Sequence, residues 1–225
     1  EGVDLFTKGN LFFSRRVGSS PVGKVALEPN EIIKNKPSEV GLLNAIKMSG
    51  RLKSGLGIGV FNAITESTQA RVLDTIKSTS RQVEVEPLSN YNILVVDQQF
   101  NQNSSVSLIN TNVTRTGDFR DANVTGALFN LIDNSNTYQL KGEFKMSHLN
   151  LEQDDQTGFS SEVEIGKISD NFQYSLKHEY ADKKYDINDL GLIFRNNYNN
   201  FRAELTYQIF EPTTKFQSYR IRLIP

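Results

Sequence analysis

Residues 136–210 consist of short runs in which apolar and polar residues alternate, with turn residues between the runs. In the clearest run one phase holds Phe172, Tyr174, Leu176, His178 and Tyr180, and the other holds Gln173, Ser175, Lys177 and Glu179. Because successive side chains of a β-strand point to opposite faces, this pattern predicts strands with one apolar and one charged face. The fold therefore depends on what the apolar face meets. A second sheet would make a soluble sandwich or small barrel, and lipid would make an outer-membrane barrel.

Similar runs elsewhere predict an all-β chain of about 11–12 antiparallel strands in up-and-down order. We expect strands at residues 11–13, 43–53, 57–65, 91–96, 106–110, 122–132, 138–146, 162–165, 172–180, 190–194, 201–209 and 218–224. Residues 19–42 and 66–90, which are rich in proline, glycine or charge, are predicted to be long loops. No helix is predicted.

Three features favour a transmembrane barrel, with residues 1–225 as a single β-barrel domain. The polar face carries long side chains of both charges, as a wet or ion-paired interior would. Aromatic residues such as Tyr138, Tyr180 and Tyr207 lie towards strand ends, as in the aromatic girdles of membrane barrels. Several runs extend over about 9–11 residues, whereas strands of globular proteins usually have about 5–6.

Composition excludes several classes of function. The chain has 25 basic and 26 acidic residues, so no net charge favours nucleic acid as a partner. It has no cysteine and only two histidines, which excludes catalytic thiols, disulfides and multi-histidine metal sites. No apolar run approaches the roughly 20 residues of a membrane helix. We expect no cofactor and no metal.

Charged residues in the inward phase are the main candidate functional set. They are Lys47, Arg51, Lys141, Glu143, Lys145, Lys177, Glu179, Arg195, Arg202, Glu204, Arg220 and Arg222. In a barrel these side chains would line the lumen and set its solute selectivity. Alternatively, they would form cross-strand ion pairs that plug a narrow barrel.

Glycine also alternates in one run, at Gly55, Gly57 and Gly59. This spacing lies between predicted strands and opens no helix, so it does not predict a phosphate-binding loop. Alternating glycines in a strand instead predict that something approaches that face closely, or that the sheet bends there as it coils.

The two histidines, His148 and His178, lie near the ends of different predicted strands. One of them would serve as the base of a lipid-modifying enzyme if Ser147, Ser160 or Ser175 were its partner. The spacing assembles no group of serine, histidine and acid, which favours amphipathic rings at a membrane interface.

The loop with Glu152, Asp154 and Asp155 offers oxygen ligands of the type that calcium prefers. It lacks the ligand series and the glycine of an EF-hand loop. This favours a solvated acidic loop.

Several segments resemble a known family. DLFTKGNLFFSRRVG, LKSGLGIGVFNAIT, EPLSNYNILVVDQQFNQNSSVSLINTNVTR and GDFRDANVTGALFNL are similar to the barrel region of a cell-envelope family of Bacteroidota. Members of that family join an N-terminal domain similar to family 9 carbohydrate-binding modules to an outer-membrane β-barrel of unknown function. The resemblance implies an outer-membrane location and no established reaction. The chain shows no such N-terminal module and ends in IRLIP without a terminal aromatic residue, so we expect a fragment of a longer protein.

The first functional hypothesis is therefore a non-enzymatic protein of the bacterial outer membrane. It would serve as a pore, or as a membrane platform for a binding domain or partner proteins. Outer-membrane lipid would be its main partner, and other envelope proteins or glycans are further candidate partners. The second is a soluble β-sandwich that binds carbohydrate through Tyr91, Phe119 and Tyr198. A third is an envelope lipid hydrolase that depends on one of the two histidines.

Overall fold

A computed structural model describes residues 2–151, 154–209, 211–212 and 214–224, and this part of the chain folds into thirteen β-strands and one short α-helix. The helix α1 is Gly2–Thr7, and 3-10 turns follow at Lys8–Asn10 and Ser14–Arg16. The strands are β1 (Glu31–Asn35), β2 (Leu42–Arg51), β3 (Leu56–Thr65), β4 (Thr68–Asp74), β5 (Ser80–Glu86), β6 (Ser89–Phe100), β7 (Ser104–Arg115), β8 (Asp121–Ile132), β9 (Tyr138–Asn150), β10 (Gln156–Lys167), β11 (Phe172–Ala181), β12 (Tyr198–Ile209) and β13 (Tyr219–Leu223). None of the described helices is long and apolar enough to cross a membrane.

Ten strands form one antiparallel sheet in the order β13-β12-β11-β10-β9-β8-β7-β6-β3-β2. The prediction of an all-β, antiparallel fold is confirmed, and consecutive strands are neighbours except where β4 and β5 intervene between β3 and β6. No pairing joins β2 to β13 in the described part of the chain, so both strands are open edges of the sheet.

The remaining three strands form a small sheet in the order β1-β4-β5. The predicted long loops at residues 19–42 and 66–90 are therefore wrong in part, since each contains strand. Val72 and Val85 are fully buried in this sheet and alternate with polar residues such as Arg71 and Glu84. Short strands with charged outward positions resemble loops in composition, which explains the error.

The predicted strand at residues 11–13 is also wrong, as is the prediction that the chain has no helix. The N-terminal segment, residues 2–18, begins with α1 and continues as 3-10 turns. Gly9 and Asn10 have φ values of 69° and 57°, which interrupt an extended backbone before Leu11. Leu5, Phe6 and Leu11 are buried, so the apolar residues of this segment serve as anchors without strand pairing.

The predicted strand at residues 190–194 is wrong as well. Residues 182–197 form an irregular connection between β11 and β12. Tyr185, Ile187 and Leu190 are almost fully buried, whereas Phe194 is exposed. The apolar residues are thus spaced by the packing of a folded loop. Over a few residues this spacing resembles the alternation of a strand.

The two faces of the large sheet differ in what covers them. The inner face is the one against which residues 2–18 and 182–197 pack, and its buried residues include Ala63, Ile93, Val95, Ile109, Val124 and Leu149. The outer face bears the alternate residues of the same strands, such as Leu94 and Leu108, which are exposed.

The two longest connections of the large sheet lie at the same end, and most connections at the other end are short turns. Residues 52–55, 101–103, 133–137 and 168–171 are short turns at one end, which we call the short-turn end. Asp133 closes one of them by accepting hydrogen bonds from the backbone N–H groups of Thr137 and Tyr138, at 2.6 and 2.8 Å. Residues 66–88, 116–120 and 182–197 lie at the opposite end, the long-connection end.

Candidate functional site

The N-terminal segment fits against the inner face at positions where the sheet has glycine. A Cβ atom at Gly59 would lie 2.9 Å from the Cζ atom of Phe6, and one at Gly126 would lie 2.6 Å from a methyl group of Leu11. The close approach predicted from the alternating glycines is thereby confirmed. These glycines make room for side chains that occupy the space in front of the inner face.

A buried carboxylate also holds this segment. The side chain of Asp97 on β6 is 0% exposed, and its Oδ1 atom lies 2.5 Å from the Nζ atom of Lys8. The guanidinium of Arg51 donates to Oδ2 at 2.5 Å, and the hydroxyl of Ser107 donates to Oδ1 at 2.6 Å. A buried carboxylate needs such partners, because an unpaired buried charge is strongly destabilising.

Residues 182–197 pack against a further part of the inner face and join the N-terminal segment. The N–H of Phe13 donates to the carbonyl of Leu190 at 2.6 Å, and the N–H of Leu192 donates to the carbonyl of Asn10 at 3.2 Å. We call residues 2–18 and 182–197 together the interior filling. Burial raises the pKa of the Tyr185 hydroxyl far above its usual value, because the interior filling excludes water from that ring.

Ion pairs fasten the interior filling at the long-connection end. The guanidinium of Arg115 on β7 lies 2.9 Å from Asp189 and 3.7 Å from Glu86, and all three side chains are buried. Arg120 approaches Asp189 at 2.8 Å and Asp186 at 3.7 Å. The end of the large sheet, the end of the small sheet and the interior filling therefore meet in one charged cluster.

Seven of the twelve predicted lumen residues form ion pairs on the inner faces of β9–β13. Lys141 lies 3.0 Å from Glu164, and Lys145 contacts Glu143. Lys177 lies 2.9 Å from both Glu162 and Glu179, and Arg222 on β13 lies 2.9 Å from Glu204. The pairs of Lys141, Arg222 and Glu162 join neighbouring strands, whereas Lys145–Glu143 and Lys177–Glu179 each join two residues of one strand.

The other predicted residues have different surroundings. Arg51 binds Asp97, Lys47 lies with its Nζ atom 4.6 Å from the centre of the Phe6 ring, and Arg220 donates to the side chain of Gln208 at 2.9 Å. Arg202 is exposed on the inner side of β12, opposite Lys177 in the strand register. Arg195 lies in the interior filling and not on a strand, 5.9 Å from the Tyr198 ring.

Two cavities flank the N-terminal segment. One of about 320 Å³ extends from Lys8 to Lys141, and one of about 370 Å³ extends from Asn10 to Tyr185. Glu143 and Glu162 line both of them. The interior thus keeps space for water or small solutes, but side chains and the N-terminal segment divide that space.

The outer face carries an extended set of exposed apolar side chains, which we call the apolar band. Its members include Ile46, Met48, Ile58, Val60, Leu94, Val106, Leu108, Leu140, Phe144, Met146, Phe159, Ile165, Phe172, Tyr174, Leu176, Phe201, Leu205, Tyr207, Ile221 and Leu223. Leu108, Phe144 and Leu176 are 53%, 51% and 57% exposed. Apart from two histidines, the ionisable acidic and basic residues among the described outer-face positions of these strands are Asp121 and Lys167, at opposite ends of the sheet.

The apolar band runs obliquely across the strands. Directly opposed residues form a row of Val96, Leu108, Ala127, Phe144, Ser161, Tyr180 and Asn199 from β6 to β12. On β6 this row lies at the edge of the apolar band that faces the short-turn end. Val96 is the last apolar residue there, because the next outer-face residue, Gln98, is polar. The row ends at the opposite limit, because Asn199 precedes Phe201, the first apolar outer residue of β12. The row of opposed residues therefore shifts across the band by about one residue for each strand that it crosses. This shift corresponds to an angle of about 35° between the strands and the normal to the band, which is the tilt found in closed barrels.

The histidines and serines do not meet. His148 and His178 lie on the outer face, whereas Ser147, Ser160 and Ser175 belong to the inward phase. The Nδ1 atom of His148 lies 3.0 Å from the Thr157 hydroxyl, and the His178 ring stacks on Phe201 with 4.4 Å between ring centres. The geometry gives neither imidazole one of the serines considered as a nucleophile.

The acidic loop lies partly outside the described residues, because Glu152 is not among them. Asp155 lies 3.7 Å from the His148 ring. In the described part of the chain no three histidine, aspartate or glutamate side chains come together as a possible metal site.

Sequence reasoning does not single out Asp97, Arg115 or Asp189. The available signal for a buried carboxylate is the position of Asp97, a charged residue that directly follows the apolar run 91–96. Its partners Lys8 and Arg51 are 89 and 46 residues away, so only the fold identifies them.

Comparison with known proteins gives one match. No curated protein and no solved structure matches the chain. A family model described as a domain of unknown function, DUF5916, matches residues 1–224. Because the match spans nearly the whole sequence, the chain belongs to the DUF5916 family of domains of unknown function.

Proposed function

We propose that the chain forms part of the wall of a transmembrane β-barrel in the bacterial outer membrane. Its interior is filled, and it acts as a membrane platform for a binding domain or partner proteins. The apolar band on the outer face carries this proposal. In water such a continuous exposed apolar surface would promote aggregation, whereas in a bilayer it would meet hydrocarbon.

The distribution of charge supports the same environment. The inner face of β9–β13 is rich in paired charges, and the outer face of the same strands is almost free of charge. A soluble sheet with one solvated face has the opposite arrangement, with its apolar side chains covered and its charged side chains exposed. The oblique course of the apolar band adds a second argument, because tilted strands are a geometric requirement of a closed barrel.

The interior filling favours a platform over an open pore. Phe6 and Leu11 occupy space in front of the inner face, and the lumen residues Lys141, Lys145 and Lys177 neutralise neighbouring glutamates. A wide conducting channel needs an open, hydrated path, and the two cavities beside the N-terminal segment are small and separated by side chains.

The family resemblance supplies the proposed setting. In that setting the protein is a component of the Bacteroidota outer membrane, residues 1–225 are one barrel domain of a longer chain, and the attached domain is similar to family 9 carbohydrate-binding modules. Outer-membrane lipid is the main partner, with other envelope proteins or glycans bound through the attached parts. No reaction and no cofactor belong to this function.

The soluble carbohydrate-binding alternative loses one of its three aromatic residues. Tyr91 is only 4% exposed, because it lies on the inner face beneath the interior filling, so it offers no ring to a sugar. Phe119 and Tyr198 are half-buried, on the 116–120 connection and at the start of β12.

Reconstitution tests the proposal. The purified chain in neutral detergent is mixed with phosphatidylethanolamine and phosphatidylglycerol vesicles, the detergent is removed, and the vesicles are floated on a density gradient. The expected result is flotation with the vesicles and resistance to extraction by alkaline carbonate. A chain that stays monomeric in detergent-free buffer with a sharp unfolding transition, and does not float, would show that the membrane assignment is wrong.

A planar-bilayer measurement separates the platform from the pore. The filled interior predicts no conductance above that of protein-free bilayers. Discrete conductance steps that depend on the protein would show that it is a channel and not a closed platform. The membrane assignment would still hold.

A further inference from the structure

A patch of asparagine side chains interrupts the outer face near the long-connection end. Asn62, Asn92, Asn112 and Asn123 oppose one another in register across β3, β6, β7 and β8. We call these four residues, together with Asn90 and Asn110, the amide patch. All six side chains are half-buried.

The amides of this patch satisfy part of their hydrogen-bonding capacity within it. The amide of Asn62 donates to Asn90 at 2.7 Å and to Asn92 at 2.8 Å, and that of Asn110 donates to Asn123 at 3.1 Å. Paired amides tolerate a less polar environment than single amides do, because fewer hydrogen bonds to water are lost. Acyl chains nevertheless offer no partner for the remaining donors and acceptors.

The amide patch narrows the apolar band on one side of the sheet. On β9 the apolar outer positions extend from Tyr138 to Met146, a height of about 22 Å for strands tilted by about 35°, close to the roughly 25 Å of outer-membrane barrels. On β7 the corresponding positions are Val106 and Leu108, and polar residues begin at Asn110. The full height of the hydrocarbon is therefore matched on β9 but not on β7.

We propose that the amide patch contacts the polar head-group layer of the membrane leaflet at the long-connection end. The head groups then reach deeper beside β3 and β6–β8 than beside β9–β12. The patch carries no charge and offers amide donors and acceptors, which suit phosphate, hydroxyl and ester oxygens of lipid head groups. It is also continuous with the apolar band, so a bilayer that covers the band reaches the patch. This inference rests on the proposed membrane location.

Depth-dependent fluorescence quenching tests it. The chain contains no tryptophan, so a single introduced tryptophan reports its own depth. Three variants are placed in vesicles with lipids brominated near the head group or near the chain end: Asn112→Trp in the amide patch, Leu108→Trp below it on β7, and Phe144→Trp on β9. The expected result is that the tryptophan at residue 112 is quenched best near the head group, about 10 Å shallower than the one at residue 108.

The outcomes separate this inference from the proposed function. If all three tryptophans escape quenching by brominated lipid, the membrane location fails. If residues 108 and 144 are quenched at depth and residue 112 is quenched better by lipid brominated near the chain end than by lipid brominated near the head group, the function stands and the inference fails. If residue 112 is shielded both from lipid and from aqueous acrylamide, a protein contact covers the patch and the inference also fails.

A second label guards against misfolding of the asparagine variant. The chain contains no cysteine, so Asn92→Cys carries a single nitroxide, and accessibility to oxygen and to a nickel complex gives its depth by paramagnetic resonance. A head-group depth at residue 92 supports the inference, and a depth within the hydrocarbon contradicts it. A nitroxide on Leu94→Cys, roughly 7 Å farther along β6, serves as the reference for a hydrocarbon depth.

Discussion

The Nζ atom of Lys8 lies 2.5 Å from Oδ1 of Asp97, although 89 positions separate the two residues in the chain. Arg51 binds the other oxygen of the same carboxylate. One buried acid thus joins the N-terminal segment, the edge strand β2 and the central strand β6.

Replacement of Asp97 by Asn is expected to destabilise the fold. The substitution keeps the size of the side chain but leaves Lys8 and Arg51 without a counter-charge in a partly buried site, which costs about 2–4 kcal/mol. The measurement is the free energy of unfolding by urea titration in one fixed detergent. Glu164→Gln is the matched control, because it removes the more exposed pair with Lys141 and should cost less than about 1 kcal/mol. Equal losses in both variants would contradict the central role of Asp97.

Replacement of Gly59 by Ala is expected to displace Phe6. The added Cβ atom would approach the Phe6 ring to 2.9 Å, and overpacking of this kind costs about 1–3 kcal/mol. Gly50→Ala on β2 is the control, since nothing lies within 4 Å of its added atom. The measurements are the thermal unfolding midpoint and the rate of tryptic cleavage after Lys8. Identical midpoints and cleavage rates for the two variants would show that the N-terminal segment does not pack tightly against the sheet.

Replacement of Leu176 by Arg distinguishes lipid from water at the apolar band. Leu176 is exposed, so an arginine there would hardly change the stability of a soluble protein, but at mid-height in a bilayer it costs about 2–4 kcal/mol. Ile76→Arg is the control, because Ile76 is exposed in the turn between β4 and β5, outside the band. The measurement is the free energy of folding into vesicles. An effect as small for Leu176→Arg as for Ile76→Arg would argue against membrane insertion.

The small sheet is expected to weaken in acid. The Arg81 guanidinium donates to both oxygens of Glu31, at 2.7 Å each, and lowers the pKa of that carboxyl from 4.5 to about 2. Because the folded-state pKa lies below the unfolded value, the contribution to stability is complete above about pH 4.5 and is lost as the pH falls towards 2. The measurement is the NMR titration of the Glu31 carboxyl carbon.

Variants at two arginines of the small sheet check the cause. Arg81→Gln should raise the pKa of Glu31 towards 4.5, whereas Arg71→Gln, which removes a hydrogen bond to Ser80 in the same sheet, should leave it unchanged. A Glu31 carboxyl that titrates near 4.5 in the unaltered protein would show that the pair does not persist in solution.

The sequence pattern predicts every strand of the large sheet, by a continuous apolar run at residues 91–96 and mostly by alternation elsewhere, because one side of each strand contacts the interior and the other does not. It fails where burial follows another rule. Leu190 and Leu11 are buried because they anchor irregular segments, so the two-residue period of apolar residues there does not indicate a strand. Val72 and Val85 are buried in strands that are short and rich in charged residues. The alternation of apolar and polar residues in these strands is therefore hard to recognise in the sequence.

The candidate site is less accessible from the sequence than the fold is. The phase of the charged residues predicts which side Lys141 and Lys177 occupy, because the pleat determines it. The amide patch needs the pairing of four strands, since Asn62 and Asn123 are far apart in the chain and each asparagine alone resembles an ordinary polar residue. The ion pairs of Asp97 and Arg115 likewise depend on long-range contacts that no local pattern contains.

The interior filling sets an order for assembly. Phe13 and Arg16 at the start of the chain bind Leu190 and Gly191 near its end, and the hydrogen bond of Arg16 spans 175 residues. In the proposed closed barrel, both segments must lie in front of the inner face before the strands close around them, since a finished barrel wall would bar their entry. Folding of such long-range contacts is slow, so in the proposed membrane setting a chain that reached the bilayer before residues 2–18 had docked would be kinetically trapped as an empty shell.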